Sequence, residues 1–189
     1  MRCASWRAVA FSCLAAFVLA ACGGAQIADF EDREPELELE TFFAGETEAW
    51  GVFHDRFGTL RREFRVEIDG SWDAETQTLV LDEDFYYADG ETDRRVWTIQ
   101  KRPGGRYEGT ADDVIGVAEG EVAGNALHWT YQMDMKVGDS IWRVTFDDWM
   151  FLQPGGVLIN RADVSRWGFR IGTVTIFFAR PEQLAEASN

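Results

Sequence analysis

Apolar and polar residues alternate with a period of two along most of the chain from residue 42 onward. The clearest run spans residues 125–135, where one face carries Leu127, Trp129, Tyr131, Met133 and Met135. Strict alternation puts the apolar side chains on one side of a β-strand, because successive side chains point to opposite faces. The pattern therefore predicts strands with one buried face and one exposed face.

Short turn sequences separate these runs and set their number. Asp69-Gly70 and Asp89-Gly90 are typical of hairpin turns, and Pro-Gly-Gly occurs at residues 103–105 and 154–156. Only residues 181–187 have a helix-forming composition. The order predicts an all-β domain of eight to ten antiparallel strands, closed as an up-and-down barrel because closure removes unpaired edges. A two-sheet β-sandwich is the alternative.

The first 22 residues follow a different pattern, that of a bacterial lipoprotein signal peptide. Arg2 and Arg7 precede an apolar stretch at residues 9–19, which is too short to span a bilayer as a helix. The sequence Leu-Ala-Ala-Cys then ends at Cys22 and resembles the lipobox, whose cysteine is lipidated on sulfur and becomes the new N-terminus. The order of charge, apolar length, small residues and cysteine carries this resemblance.

The signal sequence predicts where the protein is held. We expect residues 1–21 to be removed and acylated Cys22 to anchor the chain in a membrane, since several acyl chains hold far better than one. Gly23, rather than aspartate, follows the cysteine and resembles the signal for sorting to the outer membrane. The expected location is the bacterial cell envelope, at the periplasmic face of the outer membrane.

An acidic segment separates the predicted anchor from the barrel. Residues 22–41 contain seven acidic side chains against the single base Arg33, so the segment repels itself and has little to bury. This predicts an extended tether, with an edge strand as the alternative because Leu37 and Leu39 alternate with acids. The predicted organisation is a signal peptide at 1–21, a tether at 22–41, a β-barrel at 42–180 and a tail at 181–189.

Composition limits the partners and the chemistry. The formal net charge of −15 at pH 7 becomes more negative when residues 1–21 leave with two arginines, so nucleic acid and an anionic lipid face would both repel the chain. Cys22 is the only cysteine after residue 21, which excludes a disulfide framework and a thiolate metal site. His54 and His128 are too few for a His-rich metal site. We expect no cofactor and no metal ion.

Several short motifs give the chain a family resemblance. They are FAG (43–45), AWG (49–51), DRFG (55–58), FYYADG (85–90), RVW (95–97), YEGTADDVIG (107–116), GNAL (124–127), DDWM (147–150) and NR (160–161). Together they resemble the bacterial lipoprotein family known as domain of unknown function 3833, over residues 42–180. The resemblance implies a lipocalin-like barrel and an envelope location, and it brings no catalytic residues. One departure is that the first strand carries Trp50-Gly51 where lipocalins carry Gly-x-Trp.

Alternation also places charges among the apolar faces that would line a barrel. The predicted inward charges are Arg62, Glu83, Arg95, Asp148 and Arg161. Buried charges must be paired or neutralised, and three arginines against two acids leave one positive charge over. The surplus arginine predicts recognition of a carboxylate or phosphate head group, with Trp97, Trp129 and Tyr131 contacting the apolar part of the ligand. The alternative is a closed network of arginines and acids that ties strands together.

These observations favour one function and leave two others open. The leading hypothesis is non-catalytic binding of a small amphipathic or hydrophobic ligand, such as a fatty acid or lysolipid. The second is an envelope interaction or structural module with a packed barrel and a protein partner. The third, an enzyme acting on a lipid or isoprenoid, needs an acid and a base that converge. Asp112-Asp113 and Asp147-Asp148 do not supply them as pairs, because neighbours on a strand point to opposite faces.

Overall fold

The computed structural model describes residues 24–187, so the predicted signal peptide and Cys22 lie outside the described residues. Within that range ten antiparallel strands form one closed barrel. The strands are β1 (Gly45–Asp55), β2 (Leu60–Asp73), β3 (Thr78–Tyr87), β4 (Thr92–Arg102), β5 (Arg106–Thr110), β6 (Val114–Ala123), β7 (Ala126–Val137), β8 (Ser140–Leu152), β9 (Leu158–Arg166) and β10 (Phe169–Ala179).

Each strand pairs with the next along the chain, and the last strand closes the barrel on the first. The closing ladder runs from Glu48 opposite Ala179 to Asp55 opposite Gly172. The predicted up-and-down barrel is therefore confirmed, and the sandwich alternative is wrong, since no sheet edge is left unpaired within residues 24–187. The predicted C-terminal helix is present as α2 (Pro181–Ala187).

The side chains alternate between the interior and the surface as the sequence pattern predicts. In β7, Leu127, Trp129 and Met133 are buried, and in β2 Val66 and Ile68 are buried. These inward side chains form one continuous apolar core around the barrel axis. None of the described helices is long and apolar enough to cross a bilayer.

The N-terminal segment differs from the predicted tether. A 3₁₀ helix (Ile27–Phe30) packs the Phe30 ring 5.4 Å from the Phe151 ring, on the outside of the barrel. Residues 37–43, which include α1 (Leu39–Phe42), cover one end of the barrel and are called here the N-terminal cap. Neither an extended tether nor an edge strand describes this part of the chain.

Burial explains why the cap folds despite its negative charge. Leu37 and Leu39 are 1% and 3% exposed, and the Leu37 N–H donates to the carbonyl of Gly124 at 2.8 Å. Glu40 is the acid that enters with them, and it accepts a hydrogen bond from Tyr107 at 2.9 Å and forms an ion pair with Lys101. The leucines are thus buried at the barrel end, while Glu40, the buried acid of the N-terminal cap, is paired.

Candidate functional site

A cavity of about 1300 Å³ occupies the barrel interior. Its floor is formed by Leu39 and Phe43 of the N-terminal cap. At the other end it reaches the β3–β4, β5–β6 and β7–β8 turns and the start of β2. These turns, with the β1–β2 and β9–β10 turns at the same end of the barrel, are called here the mouth. Because the cap covers one end only, a ligand would enter through the mouth.

An aromatic wall lines one side of the cavity. The Trp97 ring lies edge-on to Trp129 and Tyr131, at centroid distances of 6.0 and 5.5 Å, and Tyr131 stacks on Phe146 at 4.9 Å. Such ring pairs stabilise the wall beyond the burial of their area. The wall offers a flat apolar surface to the aliphatic or cyclic part of a ligand.

Asp148 of β8 is an incompletely satisfied acid on the cavity wall. It is only 5% exposed, and the side chains of Asn160 and Tyr131 hydrogen-bond its carboxylate. Its Oδ1 atom is buried and accepts no hydrogen bond from residues 24–187. Burial raises the pKa of Asp148 to about 7, against the lowering effect of these two hydrogen bonds. The site therefore holds a buried acceptor without a donor.

A second carboxylate, largely buried, lies on the cavity wall at β3. Glu83 faces Arg95 directly across the β3–β4 ladder, with Oε2 3.9 Å from Nη1, and its side chain is 12% exposed. Arg95 Nη2 also donates to Asp113 Oδ2 at 2.8 Å, between β4 and the β5–β6 turn. Burial raises the pKa of Glu83 to about 7, and Arg95 only partly offsets this. Burial alone would lower the pKa of Arg95, but Glu83 and Asp113 hold it above its ordinary value.

Arg62 closes one side of the mouth. Its guanidinium lies 3.7 Å from the ring centroid of Tyr87 and donates to Glu91 at 2.6 Å. Asp89 lies 3.5 Å away on the same turn. These contacts fix the position of the Arg62 guanidinium, and its side chain is one-third exposed.

The structure brings together seven of the eight side chains that the sequence predicts at the site. Those that line the cavity are Arg62, Glu83, Arg95, Trp97, Trp129, Tyr131 and Asp148. Their part in ligand binding stays a prediction. Asp147, next to Asp148, faces outward and is bonded to His128 at 2.9 Å, as the alternation predicts.

The prediction for Arg161 is wrong. Its side chain is exposed on the outer face of β9, and the neighbouring Asn160 faces the cavity. The error arises because residues 157–159 are all apolar, so alternation there fits either face, and a shift of one residue exchanges the faces. The sequence pattern does not predict Asn160 at the site, because its side chain is an uncharged amide and only charged residues stand out among apolar faces.

The corrected placement reverses the predicted charge balance. Arg95 is matched by Glu83 and Asp113, and Arg62 by Glu91. Among residues 24–187 no cation forms a salt bridge with Asp148. The interior therefore has an unmatched acid rather than a surplus arginine.

The fold and cavity define a lipocalin-like barrel. The family described as "Protein of unknown function (DUF3833)" matches residues 16–180, and the chain belongs to this family, which confirms the resemblance seen in its motifs. No curated protein matches the chain.

Two solved structures share the fold at low sequence identity. A protein of unknown function from the DUF3598 family of Nostoc punctiforme superposes with a TM-score of 0.53 and 11% identity, over 78% of this chain and 50% of that protein. The alignment thus spans half the length of the Nostoc protein. The S-type phycobiliprotein lyase CPES from Guillardia theta superposes with a TM-score of 0.50 and 10% identity, over 75% of this chain and 90% of the lyase.

Proposed function

We propose that the protein binds a small amphipathic ligand in the barrel cavity. The observation that carries the proposal is the cavity of about 1300 Å³, lined by aromatic rings and containing one buried acceptor at Asp148 that has no donor. Ligand sites are concave, mostly apolar and fitted with a few polar groups that fix orientation. A packed barrel, which the interaction-module hypothesis requires, would leave no space of this size.

The polar groups favour a particular head group. Asp148 Oδ1 would accept a hydrogen bond, so the ligand should present a donor such as a hydroxyl, an amide or an amine. A free carboxylate or phosphate would instead meet Asp148 and Glu83, both acids. A long-chain alcohol, an acylglycerol or a lipid amine therefore fits better than the fatty acid expected from sequence. The apolar part would lie against Trp97 and Trp129.

A second candidate, an enzyme acting on a lipid or isoprenoid, is favoured by one observation. Glu83 and Asp148 both line the cavity, and burial raises the pKa of each to about 7. Carboxyl groups that titrate near neutral pH are suited to general acid–base catalysis. Binding and catalysis differ in whether the bound lipid is recovered unchanged.

The test uses a Cys22→Ser chain that lacks residues 1–21, purified gently and extracted with organic solvent for mass spectrometry. We expect one lipid class with a hydroxyl, amide or amine head group, near one molecule per chain. The matched control is Ala162→Trp, which fills the cavity from β9 and should give an empty extract. An empty extract from the parent chain, also after incubation with envelope lipids, would remove the binding function and favour a protein partner. Conversion of the added lipid to a product would favour the enzyme.

We also propose that the protein is anchored through acylated Cys22 to the periplasmic face of the outer membrane. The lipobox sequence ending at Cys22, followed by Gly23, supports this. The mass of the purified full-length product tests it, since acylation and loss of residues 1–21 change the mass together. A purified product that keeps residues 1–21, or whose mass shows no acyl group on Cys22, would contradict it.

A further inference from the structure

Large apolar side chains are exposed at the mouth. Phe57, Ile141, Trp167 and Phe169 are 78%, 71%, 82% and 73% exposed, and Leu60 beside them is 45% exposed. These five residues are called here the apolar rim. They lie on the β1–β2, β7–β8 and β9–β10 turns or on the strand residues next to them. Exposed apolar groups gathered in one region mark an interaction surface.

The turns and strand ends that carry the apolar rim are neighbours at the mouth. The strands that carry it, β8, β9, β10, β1 and β2, are consecutive neighbours around the barrel. The Arg56 N–H donates to the carbonyl of Ile171 at 2.9 Å, which joins the β1–β2 turn to β10. The Arg166 guanidinium lies 4.3 Å from the ring of Trp142 and 4.1 Å from that of Trp167, which joins β8 to the β9–β10 turn.

Trp167 occupies a backbone position that does not favour it. Its φ is +53° and that of Gly168 is +81°, in a two-residue turn where both positions are left-handed. Asparagine or glycine suits the first position of such a turn, and a bulky residue there costs free energy. Because the indole is 82% exposed, burial within the protein does not offset that cost. Contact between the indole and a surface outside the protein would offset that cost.

The charges at the mouth are segregated. Among residues 24–187, Arg56, Lys136 and Arg166 on the apolar-rim side form no salt bridge. The other cations there, Arg61, Arg143 and Arg170, are each paired with an acid, and among the described residues of this side the acids Glu63 and Asp139 form no salt bridge. On the opposite side the mouth is lined by the acids Asp89, Glu91, Asp93 and Asp112. The net charge of −15 therefore conceals a local excess of cations around exposed aromatic rings.

We propose that the apolar rim docks on a phospholipid bilayer, with its rings in the interface and Arg56, Lys136 and Arg166 on the lipid phosphates. Aromatic side chains on separate projecting turns, flanked by arginine and lysine, suit the boundary between head groups and acyl chains. Docking would also place the cavity opening at the lipid surface, so that a lipid could enter without crossing water. The repulsion expected from the net charge acts weakly at this range, because salt screens charges beyond about 8 Å.

Vesicle co-sedimentation of the Cys22→Ser chain lacking residues 1–21 tests the docking. The removed segment would bind lipid itself, whereas residues 24–187 contain every strand of the closed barrel and its N-terminal cap. We expect the chain to bind phosphatidylcholine vesicles, and to bind more tightly when phosphatidylglycerol is added, with the added affinity lost at high salt. Trp167→Ser with Phe169→Ser should weaken binding by about tenfold or more per ring removed.

The matched control is Phe177→Ser, which removes an exposed ring from the outer face of β10 near the capped end. It should leave vesicle binding unchanged. Arg56→Gln with Lys136→Gln should remove the preference for phosphatidylglycerol. Thermal unfolding of each variant checks that the barrel is intact, as expected for exposed positions.

Three results would overturn the docking proposal. The first is that the parent chain binds neither kind of vesicle, even if it captures a protein through the same residues. The second is that the Trp167 and Phe169 changes reduce binding no more than Phe177→Ser does. The third is that sedimentation shows a dimer that Trp167→Ser dissociates, which would mean that a second copy covers the apolar rim. None of these results bears on whether the cavity holds a ligand.

Discussion

Gly120 lies opposite Trp129 in the β6–β7 ladder, and a β-carbon on Gly120 would stand 1.9 Å from Cε3 of the indole. Gly109 on β5 gives the same indole room, since its β-carbon would lie 2.7 Å from Cζ2. The glycine-rich strands therefore form the recess that receives the central ring of the aromatic wall.

This contact predicts the effect of Gly120→Ala. The added methyl group must displace Trp129 or the β6 backbone, because the atoms it meets belong to the rigid indole ring rather than to the end of a flexible side chain. We expect the free energy of unfolding to fall by about 1–3 kcal/mol, the range for overpacked cores. Urea unfolding measures it, and Gly24→Ala, where a β-carbon meets nothing within 4 Å, should be neutral. Equal stability of the two variants would show that the recess is not close-packed.

Asp148 predicts how stability depends on pH. Its pKa is about 7 when folded, against an ordinary 3.8, so the folded state binds the proton more tightly than the unfolded state. The free energy of unfolding should therefore fall as pH rises from about 4 to 7, by at most a few kcal/mol from this group. Asp148→Asn should flatten the profile and stabilise the chain most at pH 8.

The matched control for that profile is Asp69→Asn, an exposed change of the same kind on β2. Its melting temperature, measured across pH 5 to 8, should follow the parent. If Asp148→Asn follows the parent equally closely, the carboxyl group titrates without a cost of burial. Glu83 contributes in the same direction because burial also raises its pKa to about 7.

Arg95 and Arg161 should behave in opposite ways. Arg95→Gln leaves Glu83 and Asp113 without their cation, so we expect lower stability and loss of the lipid from the purified protein. Arg161→Gln changes an exposed outer side chain and should alter neither. Displacement of the neutral dye Nile red from the cavity measures ligand binding. Unfolding followed by circular dichroism measures stability. An Arg161→Gln variant that loses the ligand would contradict the outward placement of this residue.

Leu39 tests whether the N-terminal cap belongs to the folded barrel. It is 3% exposed and forms part of the cavity floor, so Leu39→Ala should cost about 2–5 kcal/mol of unfolding free energy. Glu36→Ala, an exposed position three residues earlier, is the control and should be near neutral. Similar small effects at both positions would indicate a segment that behaves as the tether expected from sequence.

The period-two pattern determined much of the barrel by itself. Alternation is a local property of a strand, so the inward faces of β2, β3, β7 and β8 could be read from neighbouring residues. The other turn sequences added the strand order, and with it the up-and-down closure, whereas the turn predicted at Asp69-Gly70 is wrong because these residues lie within β2. Seven of the eight predicted site residues reach the cavity for this reason.

Only the tertiary structure decided the rest, because it depends on contacts between residues distant in sequence. The face of Arg161 was ambiguous until β9 was paired between β8 and β10. The sequence before residue 42 predicts a charged tether. In the folded chain, however, the Leu37 N–H donates to the carbonyl of Gly124 at the barrel end. The charge balance of the interior depends on the ion pair between Arg95 on β4 and Asp113 on the β5–β6 turn. Alternation tells which side of a strand a residue faces, but the partner it meets there is set by the closure of the whole sheet.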